Sequence, residues 1–263
     1  MRLRRLTTGG LGLFAALCLG VTACAGETGG ATGGTGATPG TGATTDAPVA
    51  STAMSELTAA AQKLNDETVT VTVESKGLSS TGNLDPQADK ATSTMKFAGQ
   101  GTSSTIEIRA IGEDVYLKAT GMPNIDPAKW LHLDVARLAG TTFDILPEGD
   151  AAGAGRFVEN MADVQSTGDG TYSGTLDLTK VSGRGGVSID LLGGKGDAVP
   201  FTATVDDQDR LTALTVDLTG IDAQLGTLKT TYSGFGTPVT VTAPTAAETV
   251  EAPDSLLQIL GVK

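Results

Sequence analysis

The sequence predicts an α+β fold: a curved antiparallel sheet, open as a half-barrel, wrapped around a few helices. Three observations point there. Apolar and polar residues alternate with a period of two in one run of segments before residue 135 and in a second run after residue 170. The stretch between them turns to helical spacing. Strands therefore come in runs and do not alternate one by one with helices, as a parallel βαβ fold requires.

The elements follow in order. Ser51 to Leu64 reads as a helix, with Met54, Leu57, Ala61 and Leu64 on one stripe and Ser51 as its N-cap. Val69, Val71 and Val73 then alternate with Thr70 and Thr72, a half-buried strand. Met95 to Ala98 reads as the next strand. Thr105 to Ile111 turns at Gly112-Glu113 into Asp114 to Lys118, and Lys129 to Asp134 follows; together they make an antiparallel meander. Val135 to Leu146 has room for a helical turn or two. Gly155 to Val164 places Phe157, Met161 and Val164 at i, i+4 and i+7, a second helix. Strands resume at Thr171 to Leu178. Val187 to Leu191 fits a strand or a short helix equally. Phe201 to Val205 and Leu211 to Leu218 flank a polar loop, Asp206 to Arg210. Leu228 to Ser233 and Pro238 to Thr242 complete the strands, and Leu256 to Val262 is an apolar tail, helix or strand.

The N-terminus carries a different kind of information. Arg2, Arg4 and Arg5 precede an apolar run from Leu11 to Val21, too short to span a bilayer as a helix. Basic start, short apolar core and small residues before a cut site read as a secretory signal over residues 1–23. Val21-Thr22-Ala23-Cys24 resembles the bacterial lipobox, which predicts cleavage before Cys24 and acylation of its thiol. Cys18 leaves with the signal, so Cys24 is the sole cysteine of the mature chain and no internal disulfide is expected. One acyl chain gives only marginal attachment, whereas two or three hold firmly. Residues 24–48 are almost wholly Gly, Ala, Thr and Pro, a composition that buries too little to offset ordering entropy; a disordered tether is expected. Residues 49–263 are expected to form one domain.

Charge narrows the partners. Without the three signal arginines the chain carries 30 acidic side chains against about half as many basic ones. Nucleic acid, which needs basic patches, is not an expected partner.

The residues then look familiar. Ile108-Arg109-Ala110-Ile111-Gly112-Glu113-Asp114-Val115-Tyr116-Leu117-Lys118, followed by Lys129-Trp130-Leu131-His132-Leu133-Asp134, is similar to a hairpin of the LppX/LprG family of actinobacterial lipoproteins. Pro200 to Leu211 and Tyr232 to Val241 resemble its later strands. The resemblance covers most of residues 51–245; the linker is longer and richer in glycine than the family leads one to expect, and the tail beyond Pro244 has no counterpart. It implies a half-barrel like that of the lipoprotein carriers LolA and LolB. It also implies a monomeric carrier, anchored to the outer face of the cell membrane, that binds acylated lipid or glycolipid in an apolar cavity, with a transporter as a further partner. The alternative is an envelope scaffold or sensor that binds a protein.

Catalytic chemistry finds little support in the sequence. His132, the one histidine, stands in a strand, and no G-x-S-x-G elbow occurs. Gly193-Gly194-Lys195-Gly196 lacks the Ser or Thr and the first Gly of a phosphate loop and reads as a turn. Asp206, Asp207 and Asp209 read as a solvated hairpin tip. No catalytic residue, metal ligand or cofactor is assigned, and an enzyme is not expected. What remains is apolar surface. Val69, Val71, Ile106, Ile108, Val115, Leu117, Leu131 and Leu133 are the expected cavity lining on the concave side of the sheet. The small residues Ala151-Ala152-Gly153-Ala154-Gly155 and the scarcity of aromatics would leave space beside them.

Overall fold

Valines alternating with threonines build the first strand, and every other strand takes its place relative to it. In the computed structural model, residues 46–99, 102–122, 125–138, 147, 149–181 and 194–253 are described. Cys24, the signal and most of the linker lie outside them, as do Val187–Leu191 and Leu256–Val262. The described part is α+β, dominated by one large, mainly antiparallel sheet that does not close on itself.

Twelve strands form this sheet. β1 (Val69–Ser75), β2 (Leu78–Asp85), β3 (Lys90–Gly99), β4 (Thr102–Ile111), β5 (Asp114–Thr120) and β6 (Trp130–Asp134) make the first meander. β7 (Met161–Gly168), β8 (Thr171–Leu176), β9 (Val199–Val205), β10 (Leu211–Asp217) and β11 (Thr227–Ser233) make the second. The first winds outward from β1. The second starts at the far edge and winds inward until β11 pairs antiparallel with β1. β12 (Thr249–Glu251) then adds in parallel to β6, beyond the first meander.

Register puts the apolar residues on one face. Val69, Leu84, Ala91, Ala110, Val115 and Leu133 form one cross-strand row, and Val71, Gly82, Ser93, Ile108, Leu117 and Leu131 the next. The helix α1 (Asp46–Gln62), continued by a 3-10 turn at Lys63–Asn65, packs against β7 and β10. Its buried stripe is Ala53, Leu57, Ala60, Ala61 and Leu64, which joins the strand residues in one apolar cluster. Tyr172 on β8 donates from its hydroxyl to Glu56 Oε2 at 2.9 Å and ties the helix to the second meander.

Two long connections cross the sheet. Residues 135–160 lead from β6 to the opposite edge at β7 and carry α2 (Val135–Leu138) and α3 (Gly155–Val158). α3 packs against α1, and Ala152 to Phe157 lie over the central strands on the apolar face. Residues 234–248 lead from β11 to β12 over the other face. They lie beside Thr70, Asn83 and Thr92, and Arg109 Nη1 donates to Thr242 O at 2.9 Å.

Several expectations are corrected. α1 begins at Asp46, so the last residues assigned to the tether belong to it and Ser51 lies within the helix, not at its cap. The expected helix Gly155–Val164 ends at Val158, and Met161 opens strand β7. A bulge between Ala162 and Gln165, with Asp163 at φ 53°, puts the buried Met161 and Val164 three residues apart, which mimics helical spacing. Strand β2 and the short helix α4 (Leu178–Val181) were not expected. Pro238–Thr242 is extended but pairs with no strand, because it crosses the strands instead of running along them. The acids of the β9–β10 loop are not all solvated: Asp206 Oδ2 accepts from Arg210 Nε and Nη2 at 2.9 and 2.8 Å, and its Oδ1 accepts the Gln208 and Arg210 amides.

Candidate functional site: an apolar cavity under the first crossover

The cavity arises where small side chains meet from both sides. β2 turns Leu78, Ser80, Gly82 and Leu84 toward the apolar face, and β3 turns Ala91, Ser93, Met95 and Phe97. Ser80, Gly82 and Ser93 are too small to fill the layer. Above them the crossover contributes Ala152 and Gly153. Close packing fails locally, and a cavity of about 180 Å³ remains.

Its walls are mostly apolar. Val71 and Val73 come from β1, Leu78 from β2, Met95 and Phe97 from β3, Leu228 from β11 and Phe157 from α3. Phe97 is 38% exposed, one of the two large apolar side chains most open to solvent among the described residues. Leu78 pairs with it at the β1–β2 turn, so these two form an apolar lip. Ser80 Oγ and Ser93 Oγ lie 3.4 Å apart and bond each other.

The polar groups gather at the crossover side and on β11. Asp150 accepts the Gly155 and Arg156 amides at 2.7 and 3.1 Å and so fixes the start of α3. Arg156 lines the cavity and donates from Nε to Gly153 O at 3.2 Å. Thr230 and Tyr232 reach the cavity from β11. Burial raises the pKa of the Tyr232 phenol, with the Asp150 charge adding to the rise and the Arg156 charge opposing it.

The expected lining is distributed unevenly. Val71 lines the cavity. Val69, Ile106, Ile108, Val115, Leu117, Leu131 and Leu133 share its face but are buried within the packed cluster. The lining residues of β2 and β3 escape a reading by alternation because Leu78 to Asp85 is built of Ser, Thr, Gly and Asn, with poor strand propensity. Its one signal is the inward period of Leu78, Ser80, Gly82 and Leu84.

His132 stands on the other face. Its Nδ1 lies 2.9 Å from Glu251 Oε1 and its Nε2 2.7 Å from Asp114 Oδ1. Those hydrogen bonds, Asp114 first and Glu251 second, raise its pKa. Both bonds are donated at once only by the imidazolium, which carries two N–H groups. The arrangement fastens β12, and neither nitrogen is bonded to a hydroxyl. Among the described residues no group of three or more His, Cys, Asp or Glu side chains is placed to hold a metal ion, and no helix is long and apolar enough to cross a membrane. No family model matches the sequence, and no curated protein matches it.

Proposed function

We propose that this chain is an envelope lipoprotein of the LppX/LprG kind. Acyl chains on Cys24 hold it at the membrane. Its domain, a half-barrel curved about its helices, binds acylated lipid or glycolipid and shields the chains from water in transit. The observation that carries this reading is the cavity between Ala152–Phe157 and the strands β1, β2, β3 and β11, walled by Val71, Val73, Met95, Phe157 and Leu228. An apolar cavity of comparable size stays dry and takes up an apolar guest, because the guest loses water contact without the protein losing any. At about 180 Å³ it accommodates a segment of one chain, so a lipid with several chains requires the crossover to lift. The apolar lip at Leu78 and Phe97 is a path of entry from a membrane.

The test uses the full chain with Cys24→Ser, so that the anchor itself contributes no lipid. Purified without detergent and extracted with organic solvent, it is expected to yield a stoichiometric acylated species by mass spectrometry. Ser80→Leu fills the cavity from β2 and is expected to reduce that yield several-fold with thermal stability retained. A Cys24→Ser chain that carries no lipid and takes up no added phospholipid or glycolipid would overturn the carrier reading and leave the protein-binding scaffold in its place.

A further inference from the structure

The cavity wall contains a polar feature that an acyl chain does not use. Tyr232 is 3% exposed and Thr230 8%, and both side chains face the cavity from β11. Neither hydroxyl makes a hydrogen bond among the described residues. A buried hydroxyl without a partner costs about 1–3 kcal/mol, and native proteins rarely keep one without a use. Two adjacent ones on the same strand, in a wall that is otherwise apolar, are a site in want of an acceptor.

The neighbouring charge indicates which acceptor. Arg156 is the one basic side chain in the lining, and it acts electrostatically on the Tyr232 phenol. Asp150 also acts on that phenol, but both of its oxygens are engaged by the Gly155 and Arg156 amides and are not offered to Tyr232. Thr230, Tyr232 and Arg156 thus present hydroxyl and guanidinium donors to one space. Rows on β11 are two residues apart, so Tyr232 lies about 14 Å along the strand direction from the row of Leu228, Leu78 and Phe97 at the lip.

We infer that Tyr232, Thr230 and Arg156 form a head-group corner that binds the oxyanion of an anionic amphiphile, with its chain lying toward Phe97. This rests on the carrier reading and names the ligand's head chemistry. A carboxylate and a phosphate monoester share that chemistry. Tyr232 and Thr230 each donate one hydrogen bond to the oxyanion, and the guanidinium balances its charge in a poorly solvated space.

The test measures the affinity of single-chain probes for the full Cys24→Ser chain by displacement of a fluorescent fatty acid. The probes are dodecanoate, dodecyl phosphate and methyl dodecanoate. At least one oxyanion is expected to bind about tenfold more tightly than the methyl ester, the ratio a charge-assisted hydrogen bond supplies. Whichever of dodecanoate and dodecyl phosphate binds better names the source of the oxyanion. Tyr232→Phe removes only an unpartnered hydroxyl and is expected to fold; it should lower oxyanion affinity about tenfold and leave the ester within about twofold. Equal binding of all three probes by the unsubstituted corner would overturn the head-group assignment while the cavity reading stands. So would an equal loss for oxyanion and ester in Tyr232→Phe. Binding of none of the probes would overturn the carrier reading, and this inference with it.

Discussion

Ile108 shows what a single residue does in this sheet. It is 1% exposed and lies between Ser93 on β3 and Leu117 on β5, in the row that also holds Val71 and Leu131. Its neighbours are held by ladder hydrogen bonds on both sides and have little freedom to close over a void. Ile108→Ala is expected to destabilise the protein by about 2–5 kcal/mol, measured by urea unfolding, with the slope unchanged. Ser80→Leu, eight residues from the end of the same meander's first turn in space but on the cavity wall, enlarges a side chain into empty volume and should not follow that pattern. The contrast separates packed core from cavity more sharply than exposure does, since both positions lie on one face. Alternation in the sequence reveals that face. It does not reveal which of its members are covered, because cover comes from residues 135–160, remote in the chain.

At the scale of elements, β12 is the strand most dependent on side chains. It has three residues, pairs only with β6, and begins where Trp130 N donates to Glu248 O at 2.8 Å and ends where Ala252 N donates to His132 O at 3.1 Å. Lys129 Nζ reaches Ala247 O at 2.7 Å, and His132 joins Glu251 to Asp114. The Arg109 guanidinium stacks 4.3 Å over Trp130 beneath the connection. Because the folded pKa of His132 is raised, its contribution is complete below the ordinary imidazole value and is lost as pH rises through the folded value. The amide of Ala252 is therefore expected to exchange faster, after correction for intrinsic base catalysis, as pH rises through that window. In His132→Gln the exchange should lose this pH dependence, which amide hydrogen exchange by NMR will check. β7 gives the opposite lesson about elements. Its bulge makes Met161 and Val164 look helical, and only pairing with β8 at the sheet edge reveals a strand.

For the whole molecule, the joining of β1 to β11 decides the architecture. Val73 pairs with Thr230, more than 150 residues away in the chain, and the two meanders meet there. Each half has an apolar face, and one sheet lets α1 and the first crossover cover both. The second crossover covers polar Thr70, Asn83 and Thr92 and returns the chain to the β6 edge. A prediction at this scale concerns attachment. With two or three acyl chains on Cys24 the full chain should partition with membranes, and Cys24→Ser should release it to the soluble fraction, as ultracentrifugation and immunoblotting will show. Folding and cavity binding should be unaffected, since the described domain begins more than 20 residues beyond that cysteine.

The sequence by itself determined what depends on neighbours in the chain. Alternation at Val69–Val73, Thr105–Ile111, Asp114–Lys118 and Lys129–Asp134 identifies strands and their inward faces, because successive side chains must point to opposite sides. The Leu57, Ala61 and Leu64 stripe identifies the first helix for the analogous reason at 3.6 residues per turn. Only the tertiary structure decided the β1–β11 junction, the parallel seat of β12 beside β6, the bulge in β7, and the cavity at Ser80, Gly82 and Ala152. Each of these depends on which distant surfaces meet: a small side chain leaves a void only if its partner across the layer is small as well, and no local period carries that information.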